Sequence, residues 1–186
     1  MRIRTPRFLS AVSLLLCATA VSAQAPGSGA GGQAISAEAF INKASQDGMT
    51  EVKAASLAQQ KSQSDDVKRF AAQMETDHGK ANSELQTIAA SKHVPVASDL
   101  DSEHQAMLSE LSSKTGQAFD AAYASHMVVA HKKAVALFKS GSQSADKDVA
   151  GFASKTLPTL EHHKGMADEL ASKRKLAAAG APGATS

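Results

Sequence analysis

The stretch FAAQMETDHGKANSEL, residues 70–85, indicates how this chain folds, because its apolar residues recur at the spacing of a helix. Phe70, Met74 and Leu85 fall on one side of a helical projection in which successive residues are about 100° apart. His78 falls on the same side, where an apolar residue would pack without needing a hydrogen bond. The stretch therefore predicts an amphipathic helix that carries an imidazole into the protein interior.

Three other segments have the same periodicity, so the sequence predicts four long helices. Serines stand at favourable N-cap positions before the first two, and proline or glycine stands where the second and third end. Pro158 predicts a kink inside the fourth, because proline cannot donate a backbone hydrogen bond. The predicted helices run from after Ser36 to about Ser62, from after Ser64 to Val94, from near Gly116 to Gly141, and from residues 144–146 to about 176.

The lengths of the connections predict the topology. Short connections make antiparallel hairpins of the first and second helices and of the third and fourth. More than twenty residues separate the two hairpins, and LDSEHQAMLSELSSK at residues 100–114 predicts a short helix within them. Two hairpins joined by one long connection form the ferritin-like variant of the four-helix bundle, whereas an up-down-up-down bundle with short loops fits less well. The short helix should turn these side chains inward: Leu100, His104, Met107, Leu108 and Leu111.

Each long helix places one titratable residue near its midpoint, on or beside its apolar side: Glu51, His78, His131 and His163. Midpoints of antiparallel helices of similar length lie at similar depth in a bundle. The four side chains are therefore expected in one layer. Imidazole and carboxylate groups bind iron, zinc or copper where thiolates are absent.

The polar layer has a second interpretation that needs no metal. A buried glutamate and a buried histidine can satisfy each other by a hydrogen bond. Asp77, Asp120 and Tyr123 lie where they could orient the histidines in either case. The residues by themselves leave both interpretations open.

A dinuclear redox centre is not indicated. Glu75 and His78 form one Glu-x-x-His motif of the kind used by di-iron bundles, but the residue three before His163 is Leu160. No nucleophile motif, phosphate loop or catalytic acid pair is evident, so the sequence favours a binding protein over an enzyme. His126 is a reserve ligand candidate, and surface positions are predicted for the remaining histidines: His93, His104 and His162.

The first 23 residues have the order of a secretory signal peptide. Three arginines precede an apolar run at residues 8–20, and a small-residue ending predicts cleavage after Ala23. Lipoprotein processing at Cys17 is less favoured, because Leu16 stands where a small residue is required. The run is shorter than the ~20 residues of a membrane span. We expect a periplasmic or secreted protein whose mature chain has neither a cysteine nor a transmembrane segment.

The composition of the mature chain excludes several classes of function. Removing 23 of 186 residues leaves 163, enough for one domain, and removes three of the 20 basic residues, which changes the net charge from +2 to −1 against 18 acidic residues. No basic stripe or aromatic platform suggests nucleic acid. The expected organisation is a flexible Gly/Ser/Ala linker at 24–35, a helical bundle domain at 36–176 and a disordered tail at 177–186.

Three segments resemble the bacterial family known as domain of unknown function 4142, secreted or periplasmic proteins with a ferritin-like fold. The segments are INKASQDGMTEVKAASLAQQKSQSDDVKRFAAQMETDHGKANSEL, GQAFDAAYASHMVVAHKKAVALF and FASKTLPTLEHHKGMA. The resemblance implies no activity, since none is assigned to the family. It implies that the family's characteristic positions are Glu51, Asp77, His78, Asp120, Tyr123, His131 and His163.

The sequence thus predicts an all-α, exported bundle that binds a transition metal, iron, zinc or copper, through Glu51, His78, His131 and His163. Metal handling and envelope or oxidative stress are the expected settings. The alternative is a metal-free structural or interaction module of the cell envelope, whose buried polar layer fixes the register of the helices.

Overall fold

The computed structural model describes residues 35–180, with side chains through residue 177. The predicted signal peptide, Cys17 and the linker up to residue 34 lie outside these residues. The described part of the chain is helical and contains no strand. Its five helices are α1 (Ala37–Lys61), α2 (Asp65–Ser91), α3 (Ser102–Ser112), α4 (Gly116–Gly141) and α5 (Lys147–Gly180).

Side-chain caps explain where several helices begin. The Ser36 hydroxyl accepts from a backbone N–H in the first turn of α1, and the Ser64 hydroxyl does the same for α2. The Asp101 carboxylate caps α3 at 2.9 Å from the backbone nitrogen of His104. Each cap satisfies a donor that has no partner inside the helix. The helix starts after Ser36 and Ser64 agree with the sequence prediction.

The helices form the predicted ferritin-like bundle. α1 and α2 make one antiparallel hairpin, α4 and α5 make the other, α1 packs on α4, and α2 packs on α5. The short helix α3 lies in the long connection and covers α1 and α4. At one end of the bundle the ring of Phe40 lies 5.1 Å from that of Phe138 and 6.3 Å from that of Phe152. The start of α1 thus meets the end of α4 and the start of α5, so neighbouring helices run antiparallel.

Two apolar clusters fill the bundle, one toward each end. The first cluster contains Phe40, Leu85 and Leu160, and the second contains Phe70 and Met127. Along every long helix, the predicted polar residue stands between members of the first cluster and members of the second. The polar side chains therefore lie in a layer between two dry cores.

Two details of the helices differ from the simple pattern. Gly141 ends α4, yet its φ angle is not positive. A Cβ there would overlap the ring of Phe40, so close approach explains the glycine. Pro158 lies inside α5, which continues through it. Both Pro158 and Ser154, four residues earlier, are exposed, so water can reach the carbonyl that loses its helical partner.

The end of α5 lies beyond the predicted boundary of the domain. The helix continues to Gly180, so residues 177–180 of the predicted tail are helical, whereas residues 181–186 lie outside the described range. Between residues 35 and 180, no helix is both long enough and apolar enough to cross a bilayer.

Candidate metal centre

Three buried histidines meet in the polar layer. The ring of His78 lies 5.5 Å from that of His131 and 5.4 Å from that of His163, and the rings of His131 and His163 are 5.5 Å apart. One ring nitrogen from each residue lies within 4.8 Å of the other two. The exposed fractions are 6 %, 0 % and 1 %. The helices α2, α4 and α5 thus contribute one imidazole each to a single enclosed point.

Each imidazole is held by an oxygen acceptor on one of its nitrogens. His78 donates from Nδ1 to Oε2 of Glu51 at 2.8 Å. His131 donates from Nδ1 to the backbone carbonyl of Met127 at 2.9 Å. Carboxylate and carbonyl oxygens only accept, so both Nδ1 atoms carry hydrogen. The orientation of these two rings is therefore fixed.

The third imidazole is held by a carboxylate from a different helix. His163 on α5 donates from Nε2 to Oδ2 of Asp77 on α2, at 3.0 Å. Asp77 is adjacent in sequence to His78 but supports His163 across the helix interface. This contact and the Glu51–His78 contact join three of the four long helices at the polar layer.

The remaining ring nitrogens have no partner. These are Nε2 of His78, Nε2 of His131 and Nδ1 of His163, all buried and without a hydrogen bond to any group in the described residues. Unpartnered buried polar atoms are rare, and a metal ion is one of the accepted explanations for them. Histidine ligands commonly donate their second nitrogen to a carboxylate or a backbone carbonyl, as all three do here.

The charges in the layer are unequal. Burial raises the pKa of Glu51, but the neighbouring histidines and the hydrogen bond from His78 outweigh burial and lower the pKa to about 2. Burial lowers the pKa of His78, but the charge and hydrogen bond of Glu51 and the charge of Asp77 raise it above its ordinary value. The Glu51 carboxylate is thus ionised and favours a positive charge on its partner.

The other two histidines are neutral near pH 7. Burial lowers the pKa of His131 despite the charge of Glu51. Burial also lowers the pKa of His163, to about 4, despite the hydrogen bond to Asp77. The neutral rings present lone pairs on their unpartnered nitrogens. Neutral imidazole is the form that binds metal ions.

The four residues predicted as ligands do not have equivalent positions. Glu51 is buried with them, but its Oε2 lies 2.8 Å from Nδ1 of His78, which is not the unpartnered nitrogen of that ring. Its Oε1 lies 3.6 Å from Nδ1 of His131 and has no hydrogen bond. Glu51 therefore orients His78 and favours a positive charge on it, and the group of close ligand atoms found in the described residues contains the three imidazoles alone.

Tyr123 lies beside the layer in the apolar cluster. Its ring is fully buried and packs edge-on against Phe70, which in turn lies edge-on to His131. Burial and the charge of Glu51 raise the pKa of the Tyr123 hydroxyl, so the phenol stays protonated. The contacts of Tyr123 support the position of the His131 ring through Phe70.

Asp120 lies on the buried side of α4 but far from the histidines along the helix. It stands eleven residues before His131, about 16 Å along α4 at the helical rise. Its carboxylate lies 3.7 Å from Arg174, which also donates to the hydroxyl of Ser64 at 3.1 Å. Arg174 thus joins the C-terminal part of α5 to the beginnings of α2 and α4, and the described contacts of Asp120 show no link to the histidines.

Glu75 and the remaining histidines lie at or near the surface. Glu75 is exposed, so it does not share the layer with His78. His93 and His162 are exposed, and His126 is half-buried. His104 is also half-buried, but its Nε2 lies 3.2 Å from Asp47 on α1. The sequence holds no direct signal for this contact, because the spacing of residues along α1 does not indicate which of them α3 covers.

A small cavity lies against the layer. Its volume is about 30 Å³, and its wall includes Glu51, His78 and His163 together with Gly48 and Asn82. A Cβ at Gly48 would overlap the Asn82 side chain, so the glycine lets α1 and α2 approach closely here. The volume is about that of one water molecule, so the space has room for one small ligand beside the layer.

Solved structures with the same fold are known. A DUF305 fragment from Deinococcus radiodurans has a TM-score of 0.66 and 15% identity, over 73% of this chain and 95% of that chain. A DUF305 protein from Streptomyces coelicolor has a TM-score of 0.64 and 15% identity, over 74% and 92%. CopM in its Cu(II)-bound form has a TM-score of 0.64 and 16% identity, over 75% and 97%. Such identities show a common fold alone.

The sequence comparisons place the chain in a family. A search among curated proteins gives no match. The family model described as domain of unknown function (DUF4142) matches residues 20–170. Because this match covers most of the 186 residues, the chain belongs to the DUF4142 family.

Proposed function

We propose that this protein binds one transition metal ion inside the bundle, through Nε2 of His78, Nε2 of His131 and Nδ1 of His163. The main support is that these three nitrogens are buried and have no hydrogen-bond partner. Their residues lie close enough for one ring nitrogen of each to be within 4.8 Å of the others. An ion bound there would satisfy all three atoms at once. It would also replace the positive charge that Glu51 favours on His78.

The donor set selects the class of metal. Three neutral imidazoles suit zinc, copper and iron, whereas magnesium and calcium prefer oxygen ligands. Three-histidine zinc sites leave a fourth position for water, and the adjoining cavity of about 30 Å³ has room for it. Iron sites of the facial-triad type use a carboxylate ligand, which would require Glu51 to leave His78. Copper and zinc therefore fit best.

The comparison with CopM supports copper as the first ion to test. CopM is described in a Cu(II)-bound form and shares the fold at a TM-score of 0.64. At 16% identity this likeness does not transfer the ligands, so the proposed ligands rest on the geometry of this chain.

The residues around the site favour retention of the ion over turnover. Glu51 and Asp77, both with lowered pKa values, supply negative charge beside the cation without occupying its coordination positions. The apolar clusters exclude water from both sides. We infer a role in binding or buffering metal outside the cytoplasm, in metal handling or under envelope and oxidative stress. The predicted signal peptide supports this location, and the Streptomyces coelicolor relative is described as a candidate secreted protein.

The metal-free module remains the competing function, and one observation favours it. The raised pKa of His78 allows an ion pair with Glu51 that needs no metal. This pair leaves Nε2 of His131 and Nδ1 of His163 without partners, which is why metal binding explains more of the layer.

Removal of a ligand should abolish tight binding. Calorimetric titration of tag-free protein with Cu(II) and with Zn(II) should give one tight equivalent per chain. His78→Ala and His163→Ala should each weaken the affinity of that equivalent by about 100-fold or more. Loss of a group that only orients a ligand already costs about 10- to 100-fold in affinity. The exposed His162→Ala should bind as the wild type does. Equal binding by all variants would contradict the proposal.

Asp77 should matter to affinity although it does not contact the ion. Asp77→Ala removes the acceptor that orients His163, and we expect an affinity loss of about 10- to 100-fold in competition with a chelator. Glu75→Ala removes an exposed carboxylate from the same helix, two residues away, and should leave the affinity unchanged. A similar loss in both variants would mean that general charge, and not orientation, determines binding.

The metal-free protein should lose stability on acidification between about pH 6.5 and pH 4. In this window His131 and His163 are protonated in the unfolded chain but neutral in the folded one, because their folded pKa values are lowered, that of His163 to about 4. The unfolded state thus binds more protons, so the free energy of unfolding falls as the pH falls. His78 adds nothing here, because its raised pKa leaves it protonated in both states. Urea unfolding at several pH values measures the slope.

The matched comparison for this slope is His163→Ala against His162→Ala. The first variant should show a shallower dependence on pH across the window, and the second should follow the wild type. Parallel curves for all three proteins would show that the His163 imidazole is not neutral in the fold.

A further inference from the structure

A second cavity lies between α1, α3 and α4 and shares Asp47 and Glu51 with the first. Its volume is about 100 Å³, roughly three times that of the space beside the histidines. Exposed residues such as Glu103 and Lys133 form its outer rim, so the cavity opens to solvent. The side chains that matter for its chemistry are Asp47, Glu51, His104, Met107, His126 and Met127.

Two carboxylates on successive turns of α1 reach this cavity. Asp47 and Glu51 stand four residues apart and line the same wall, and like charges at this spacing repel each other. Glu51 is 3% exposed, and its Oε1 has no hydrogen-bond partner in the described residues. Lys43 partly offsets the charge of Asp47 from outside the cavity, and Lys133 lies 3.8 Å from Glu103 at the rim. The inner wall therefore favours a cation.

His104 completes the arrangement from α3. Its Nδ1 lies 2.7 Å from Oδ1 of Asp101, and its Nε2 lies 3.2 Å from Oδ1 of Asp47. When Nδ1 donates to Asp101, a neutral ring turns a lone pair toward the Asp47 oxygen. Two acceptors then face each other, and a cation between them would satisfy both. The Asp101–His104 pair has the form of a carboxylate that orients a metal-binding histidine.

The other walls favour a late transition metal over calcium or magnesium. Met107 and Met127 bring thioether groups to the cavity, and His126 brings a second imidazole. Soft thioether ligands select copper, and imidazole suits copper and zinc. Hard alkaline-earth ions gain little from such a surface.

We propose that this cavity is a second, solvent-open metal site, in which Asp47 and His104 bind a copper or zinc ion with Glu51 at the inner wall. The site serves as the loading position for the histidine triad, because Glu51 contacts both: its Oε2 lies 2.8 Å from Nδ1 of His78, and its side chain also lines the outer cavity. Binding at the outer site stands by itself, whereas the loading role rests on the function proposed for the triad.

The outer site is tested in protein that lacks the triad. His163→Ala removes a triad ligand and does not line the outer cavity. Titrated with Zn(II) and with Cu(II), this variant should keep one weak equivalent. Adding His104→Ala or Asp47→Asn should weaken that equivalent about tenfold or more, and adding His162→Ala should not. Asp47→Asn preserves the side-chain shape, so it tests the site even if His104→Ala unfolds the protein.

The loading role is tested with an intact triad. Stopped-flow measurement of Cu(II) binding should show that His104→Ala loads the tight site about tenfold or more slowly than the wild type, with the same final occupancy. Absence of the weak equivalent from His163→Ala would overturn the outer site, and equal loading rates would overturn its role. A weak equivalent that depends on His104, with no tight one in the wild type, would instead contradict the triad while supporting the outer site.

Discussion

The hydrogen bond between Glu51 and His78 is the contact on which the rest of the structure depends. An ionised carboxylate buried between two apolar clusters is costly unless it is paired and hydrogen-bonded. The 2.8 Å contact with His78 pairs Glu51 and fixes the depth of α1 against α2. The contact of Asp77 with His163 fixes α2 against α5 in the same layer. The register of the bundle and the geometry of the site therefore have a common cause.

Much of this arrangement can be predicted from the sequence. The apolar spacing and the loop lengths determine four helices in two hairpins, and the positions of Glu51, His78, His131 and His163 within their stripes determine that they share a layer. The prediction works because periodicity indicates which side of a helix is buried, and antiparallel packing then indicates how deep in the bundle each residue lies.

The contacts inside the layer could not be predicted in the same way, because they depend on rotamers and on neighbouring helices. Asp77 is adjacent to His78 but reaches His163. Asp120 shares the inner side of α4 but lies too far along the helix and pairs with Arg174. The contact of His104 with Asp47 could not be predicted, since a short helix in a connection does not reveal which residue of α1 it covers. Helical spacing indicates which side of the helix a residue lies on and its position along the axis. It does not indicate which acceptor on a neighbouring helix the side chain reaches.

The central proposal is that three histidine nitrogens bind one ion while Glu51, Met127 and Asp77 accept hydrogen bonds from the other nitrogens of the same rings. A crystal structure of the copper-loaded or zinc-loaded protein, with anomalous scattering recorded at the metal edge, tests this most directly. We expect an anomalous peak about 2.0–2.1 Å from Nε2 of His78, Nε2 of His131 and Nδ1 of His163, as is usual for zinc–histidine bonds. The Glu51–His78 hydrogen bond should be intact. A loaded crystal with no peak among these nitrogens, or with Glu51 turned away from His78 to bind the ion, would contradict it.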